Sequence, residues 1–241
     1  MTFPTFVATA TVSGSQATAV TISYPATVLA GELILLIGSN DGGGADFPTL
    51  NPIGSWTELV APANAGSSGH SIYWLDAVGT EDGGTENFDI ASAEGTTASM
   101  IRIADWDNIS PPEISARGTG TADDWEAVSA FNPSWDSNTI DTLWIAGISG
   151  IDNGGNGGIA AFPTGYNDNQ AHDTSSVSTA FASHGYGTQA TLATSLSSDA
   201  KFATLSQNGT HFTWIMAIRG VSAGGLSIPV AMHHHLQHNL S

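Results

Sequence analysis

Two stretches of this sequence decide its fold: residues 31–44, GELILLIGSNDGGG, and residues 140–155, IDTLWIAGISGIDNGG. In each, an acidic residue precedes a nearly continuous apolar run, and a glycine-rich loop with acidic or amide side chains follows it. Unbroken apolar runs of this length are typical of central β-strands that are covered on both faces. The two stretches therefore predict two core strands, each leading into a turn.

The residues that follow the two stretches indicate an internal duplication. The turn-like segments PIGSW at 52–56 and PTGY at 163–166 lie about 110 residues apart. Each half then closes on an alternating strand with one arginine, SMIRIAD at 99–105 and TWIMAIRG at 213–220. A repeat this long that occurs only twice predicts two similar sets of strands rather than a solenoid.

Hydrophobic alternation with a period of two runs through most of the chain, and no segment shows the apolar spacing of an amphipathic helix. The segments between the alternating stretches are rich in Gly, Asn, Asp and Pro, which favour turns. The candidate strands are residues 6–13, 19–24, 32–38, 56–60, 71–78, 86–91, 99–105, 143–148, 177–183, 189–193, 202–206 and 213–220.

Many short strands separated by turns predict an all-β protein, an antiparallel, jelly-roll-like β-sandwich. We expect the sandwich to cover residues 1–220, with the similar strand sets at about 18–105 and 140–220 and a linker at 106–139. The residues predicted to face its core are Leu33, Leu35, Ile37, Ile101, Ile103, Ile145, Trp214 and Met216.

Composition excludes several classes of function. The chain has 22 acidic and 4 basic residues and a net charge of −18, so it would be repelled by a nucleic-acid backbone. The absence of cysteine removes disulfides, zinc-thiolate sites and thiol nucleophiles. The amino terminus does not resemble a signal peptide, and no apolar run is long enough to predict a membrane span.

Residues 221–241 differ from the rest of the chain and predict a C-terminal arm. They begin with a flexible Gly224-Gly225 pair and contain an apolar run and four histidines. Apolar side chains outside a core are costly in water, and Pro229 fits an extended conformation. We therefore expect the arm to bind another protein or a copy of this chain, giving a homo-oligomer. The predicted assembly residues are Leu226, Ile228, Pro229, Val230, Met232, His233, His234 and His235.

Two kinds of metal site are weakly indicated. The acidic glycine-rich loops offer oxygen ligands suited to calcium. Those ligands are Asp41, Asp46, Asp152, Asn153 and Asn156. Both loops, however, lie where a strand connection requires a turn, and the turn interpretation is favoured. His234 and His238 would share one face of a helix and could bind a transition metal, although docking of the arm is favoured there too. No other cofactor is expected.

Three tryptophans, Trp106, Trp125 and Trp135, are flanked by acidic residues. An aromatic ring beside carboxylates can stack on a sugar whose hydroxyls the carboxylates bind, which makes these residues candidates for glycan binding. The alternative is that each ring packs against the sandwich or a neighbouring subunit. The packing interpretation is favoured.

An enzyme is not expected. The chain has no G-x-S-x-G motif, and sequence alone cannot assign His70, His172, His184 or His211 to a catalytic triad. Glycosidases use two carboxylates, but a chain with 22 acids contains so many pairs that the signal disappears. A glycan-degrading enzyme is therefore the third choice among the functions considered.

The strings of strands and turns resemble a type of β-sandwich protein found among the structural proteins of tailed phages, especially marine phages. The likeness covers about residues 18–220 and implies a fold and a virion component, with no catalytic residue. The strings are YPATVLAGELILLIGSNDGG, GSWTEL, SIYWLDAV, SMIRIADWDN, DTLWIAGISGID, PTGY and WIMAIRG.

The function expected from the resemblance, the composition and the arm is non-enzymatic capsid decoration. The protein would be assembled in the host cytoplasm and carried on the extracellular particle, where its arm would bind other virion proteins or copies of the chain. A tail or fibre component is the alternative within the same class, and a host-glycan-binding module is the alternative from a different class.

Overall fold

The computed structural model of the protein describes residues 2–42, 46–66, 68–120, 127–151, 159, 162–173, 182–198 and 210–221. These residues contain β-strands and no helix, which confirms the predicted all-β class. The strands are β1 Thr5–Ser23, β2 Leu33–Asp41, β3 Thr49–Leu50, β4 Thr57–Ala65, β5 Ser68–Asp76, β6 Thr85–Ala104, β7 Glu113–Ile114, β8 Gly118–Gly120, β9 Thr142–Ile151, β10 Asn167–Asp173, β11 Ala182–Ala190 and β12 His211–Arg219.

Each half of the chain builds one antiparallel sheet. In the N-terminal sheet the strand order is β1-β6-β2-β5-β4, and the short β3 also pairs with β6. In the C-terminal sheet the order is β10-β11-β9-β12-β7, and β8 also pairs with β12. The two sheets pack face to face, so the predicted antiparallel sandwich is confirmed.

The strand order repeats between the sheets. β6-β2-β5-β4 in the N-terminal sheet corresponds to β12-β9-β11-β10 in the C-terminal sheet. The two apolar stretches that open the sequence become β2 and β9, the central strands. The repeat of the strand order is not exact at every residue. Arg102 lies opposite Ile34 on β2, whereas Arg219 lies opposite Thr142 on β9. Thr142 comes one position before Leu143, the residue of β9 that corresponds to Leu33.

The predicted linker contributes to the C-terminal sheet. β7 and β8 lie within residues 106–139 and pair with β12 at the edge of that sheet. In the N-terminal sheet the corresponding place, beside β6, is taken by the long β1. The linker is therefore part of the repeated strand order as well as a connection.

The two sheets face one another as the subunits of a twofold dimer would. β2 packs on β9, β6 packs on β11, and β5 packs on β12. Because β5 corresponds to β11 and β6 to β12, the last two contacts are the same contact viewed from either sheet. Contacts that reciprocate in this way define an isologous interface.

The apolar core between the sheets contains all eight residues predicted to face it. Alternate residues of β2 and β9 point inward and meet side chains of β6, β11 and β12. The buried members are Leu33, Leu35, Ile37, Val60, Ile72, Ile101, Ile103, Trp106, Leu143, Ile145, Tyr186, Trp214, Met216 and Ile218.

The outer face of each sheet is covered as well, which explains why the central strands are apolar on both sides. Ile34 and Leu36 of β2 lie under Phe88 and the second part of β1. Trp144 and Ala146 of β9 are covered by side chains from the loops of the C-terminal half. Each central strand is consequently buried on both faces.

One glycine is required by this packing rather than by a turn. The indole ring of Trp214 lies directly over Gly147, its neighbour across the β9–β12 ladder, and a Cβ atom at Gly147 would overlap the ring. Trp214 is also fully buried. The ring and the glycine are thus matched in size.

We expect Gly147→Ala to lower the free energy of unfolding by roughly 1 to 3 kcal/mol, because a methyl group forced into a well-packed core displaces its neighbours. Urea denaturation followed by tryptophan fluorescence measures this loss.

The control is the same substitution in a Trp214→Leu background, where the overlapping ring is gone. There Gly147→Ala should change the free energy of unfolding by less than about 0.5 kcal/mol, since the two sites would no longer interact. Equal losses in both backgrounds would contradict the proposed overlap.

Candidate functional site

At one end of the sandwich the layer between the sheets changes from apolar to polar. Along β6 the inward side chains are Ile103, Ile101, Ser99 and Thr97, and the change occurs at Ser99. We call the buried polar residues beyond this point the polar layer. Its members, all nearly inaccessible to solvent, are Ser39, His70, Thr97, Ser99, Ser149 and His184.

His184 joins the two sheets through both of its ring nitrogens. Its Nδ1 lies 2.6 Å from the Thr97 hydroxyl and its Nε2 lies 2.5 Å from the Ser99 hydroxyl. A neutral imidazole has one donor and one acceptor nitrogen, so one hydroxyl donates to the ring and the other accepts from it. This arrangement satisfies both nitrogens of a neutral ring.

Two further hydrogen bonds cross between the sheets nearby. The Ser39 hydroxyl donates to the Ser183 carbonyl oxygen at 3.3 Å, and the hydroxyls of Thr9 and Tyr186 lie 3.0 Å apart. Together with His184 these bonds fix the position of one sheet against the other, because each is directional whereas apolar contact is not.

His70 occupies the position that is twofold-related to His184. His70 lies opposite Ser39 on β2, and His184 lies opposite Ser149 on β9. Yet His70 meets aromatic rings where His184 meets hydroxyls, with centroid distances of 5.5 Å to Phe212 and 6.3 Å to Trp214. Thr97 and Phe212 are themselves equivalent, since they lie opposite Ser39 and Ser149.

The other two histidines of the described residues are placed differently. His172 on β10 is half-buried, with its ring centroid 5.1 Å from that of His184. His211 precedes Phe212 on β12, so its side chain points to the opposite face of the C-terminal sheet. The structure therefore brings together His172 and His184 and places His211 apart from them.

Burial keeps the inward histidines neutral. Removal from water and, to a smaller extent, the positive charge of Arg117 lower the pKa of His70 from 6.5 to about 3. The pKa of His184 is held well below 6.5, first by burial and then by the neighbouring His172 and His70. Burial also lowers the pKa of His172.

The polar layer resembles part of a nucleophilic site but is closed. An imidazole within hydrogen-bond distance of a serine hydroxyl is the first requirement of a Ser-His-acid triad. Within the described residues, however, no carboxylate is hydrogen-bonded to His184, and both Ser99 and His184 are buried. A substrate could reach these groups only if the sheets separated.

The described residues line surface grooves that are open to solvent, and two of them have well-defined walls. One, of about 360 Å³, is lined by residues 114–118 and 127–131, and its ionisable groups include Arg117. The other, of about 200 Å³, lies beside residues 3–6 and contains Asp168. Among their described lining residues neither groove has the paired acid and base that general acid–base catalysis uses.

The acidic loop residues predicted as calcium ligands fall partly within the described residues. The Asp46 carboxylate accepts hydrogen bonds from the Ser92 amide, at 2.8 Å, and from the Ser92 hydroxyl, which attaches its loop to β6. Asp41 ends β2. The described part of the chain contains no group of three His, Cys, Asp or Glu side chains that could hold a metal ion. The remaining candidates lie outside the described residues: Asp152, Asn153, Asn156, His234 and His238.

The tryptophans predicted as glycan platforms use their indole groups within the protein. Trp106 is 3% exposed and donates from Nε1 to the Gly31 carbonyl oxygen at 3.0 Å. Trp135 is half-buried and donates to the Thr142 hydroxyl at 3.2 Å. Trp125 lies outside the described residues. These contacts favour the packing interpretation for Trp106 and Trp135.

Three of the four basic residues lie within the described residues and are engaged with the protein. Arg102 Nε is 2.9 Å from Glu32 Oε2, and Arg219 Nε is 3.3 Å from Asp107 Oδ2. The guanidinium of Arg117 lies 5.2 Å from the centroid of the Phe212 ring. None of the three presents an isolated positive charge to a nucleic acid.

The arm predicted at 221–241 lies outside the described residues except for Val221. Val221 is exposed, and its amide donates to the Asp105 carbonyl oxygen at 3.4 Å. All eight predicted assembly residues follow it and are likewise outside the described residues. Their role stays a prediction.

Sequence reasoning missed the polar layer, although a signal was present. His70 and His184 occur in the similar segments GHSIYW and SHGYGT, 69–74 and 183–188, which match when the two halves are aligned on β2 and β9. The predicted strands at 177–183 and 189–193 placed His184 in a loop. That prediction was wrong, because β11 runs without interruption from Ala182 to Ala190.

Comparison with protein-family models, curated proteins and solved structures found no match to this chain. The described residues include no helix with the length and apolarity needed to cross a membrane.

The buried histidines predict that the sandwich loses stability in mild acid. The folded pKa of His70, about 3, lies below its ordinary 6.5, so the unfolded chain binds the proton more readily. Stability should therefore fall as the pH decreases from 6.5 toward 3, by about 1.4 kcal/mol per pH unit for each histidine that stays neutral. Urea denaturation at pH 7, 6 and 5 measures the slope.

His70→Phe should reduce that slope, because phenylalanine keeps the aromatic contacts and cannot be protonated. His172→Phe is the matched control and should reduce the slope less, since His172 is only half-buried. A free energy of unfolding that is constant from pH 7 to pH 5 in the unmodified protein would contradict the assignment.

Proposed function

We propose that this chain is a non-enzymatic structural protein of a virus particle, most specifically a decoration protein of a tailed-phage capsid. In this proposal the protein is assembled in the host cytoplasm. The sandwich lies on the particle, and residues 221–241 bind virion proteins or other copies of the chain. A tail or fibre location would be a variation of the same role.

The observation that carries the non-enzymatic part is the closure of the polar layer. Its imidazole and hydroxyl groups are the described side chains best suited to nucleophilic chemistry, and they are buried between two hydrogen-bonded sheets. The central strands are covered on their outer faces too. A sandwich closed in this way supports a role in packing and display.

The surface chemistry supports a role at the outside of an assembly. The net charge is −18, and the described arginines are held by acidic, aromatic or backbone groups of the protein itself. Such a surface repels other polyanions and remains soluble. The resemblance of the strand and turn strings to phage sandwich proteins is the support for the phage particle in particular.

Deletion of residues 224–241 should abolish incorporation into particles while leaving the melting temperature of the sandwich nearly unchanged. The reason is that the described residues before Val221 already build both sheets and the buried apolar clusters on them. Incorporation is measured by co-sedimentation of the protein with particles assembled in the host, and melting by circular dichroism.

A second variant keeps the full length of the chain and replaces four apolar residues of the arm with serine: Leu226, Ile228, Val230 and Met232. It keeps the length of the arm but removes its apolar side chains, so it should fail in the same way as the deletion. Normal incorporation of both variants would overturn the proposed role of the arm. Retention of specific sugars by the intact protein on a glycan array would instead favour the carbohydrate-binding alternative.

A further inference from the structure

Three of the four sheet edges in the described structure have features that prevent pairing with another strand. β4 contains Pro62 and has two register shifts against β5. β10 contains the exposed Asp168 and has a register shift against β11. The opposite edge of the C-terminal sheet consists only of the two short strands β7 and β8. Proline, charge, irregular register and short length are the usual protections of a free edge.

β1 forms the fourth edge and lacks these protections along one segment. Residues 8–14, ATATVSG, pair with β6 through seven consecutive positions without a register shift, from Ala8 opposite Arg102 to Gly14 opposite Thr96. The segment contains no proline, and the first charged residue of the chain is Glu32. Its other side has no strand partner in the described sheet.

The side chains of this segment are suited to a strand interface. Thr9, Thr11 and Val12 are β-branched, a class that is enriched in strands. Thr11 and Ser13 are exposed, and Val7, just before the segment, is 39% exposed. An uncharged strand also allows two copies of an acidic chain to approach without placing like charges opposite one another.

We propose that residues 8–14 of β1 pair with the same residues of a second copy of this chain. A patch that binds itself does so about a twofold axis, which makes the pairing antiparallel. The two N-terminal sheets would then form one continuous sheet across the dimer, held by main-chain hydrogen bonds. This dimer extends the proposed assembly role, and it rests on that role only in that two copies of the chain must come into contact.

Sedimentation velocity of the isolated full-length protein over a range of concentrations tests the proposal. The unmodified protein should form a dimer, and Thr11→Asp should raise its dissociation constant at least tenfold, because an acidic side chain enters the centre of the paired edge. Added salt should strengthen the dimer of the unmodified protein, since it screens the repulsion between two chains of charge −18.

Thr57→Asp is the matched control. It makes the same chemical change at an exposed position of another edge strand, β4, and should leave the dissociation constant unchanged. Circular dichroism of both variants verifies folding. As a readout that needs no substitution, amide hydrogen exchange of residues 8–14 should slow as the protein concentration rises.

A protein that stays monomeric at all concentrations would overturn the proposal. So would a dimer that Thr57→Asp weakens as much as Thr11→Asp, or one in which exchange of residues 8–14 does not depend on concentration. These outcomes are separate from those of the arm deletion. A dimer that persists without residues 224–241 in a chain that no longer enters particles supports both proposals.

Discussion

The structure depends on the burial of both faces of two central strands. Leu33 and Leu35 of β2 and Ile145 of β9 belong to the core between the sheets, while the opposite faces of both strands are covered by other parts of the chain. A strand in that position cannot alternate between apolar and polar residues, which is why both are read as nearly continuous apolar runs. The loops and short strands of each half then serve to cover a sheet that would otherwise expose its outer face.

Repetition of the strand order gives the sandwich an approximate twofold relation between its sheets, but the two histidine sites have diverged. His184 is hydrogen-bonded to Thr97 and Ser99, whereas His70 stacks beside Phe212 and Trp214. Each neutral ring is accommodated by a different means, hydrogen bonds in one case and aromatic packing in the other. The divergence makes the two sheets distinguishable and gives their packing a defined register.

The sequence was sufficient to predict those strands whose own side chains show a pattern of buried positions. The core positions of β2, β6, β9 and β12 followed from alternation and from apolar runs, and the all-β class from the absence of helical periodicity. β11 was missed because its sequence, which includes Gly185 and Gly187, does not alternate between apolar and polar residues. In the structure Gly185 makes room for a neighbour, since a Cβ atom there would lie 2.8 Å from Ile159 Cδ1. That requirement arises from tertiary contact and cannot be read from local pattern.

The same distinction explains why the polar layer was harder to predict than the core. An isolated histidine in a strand has no pattern of its own, and its pairing with Ser99 depends on how the sheets face each other. The duplication supplies the missing constraint, because aligning Ser39 with Ser149 brings His70 and His184 to equivalent places. A twofold relation between sheets then requires both rings to point into the shared layer. Internal repeats therefore carry information about buried polar residues that single-strand patterns do not.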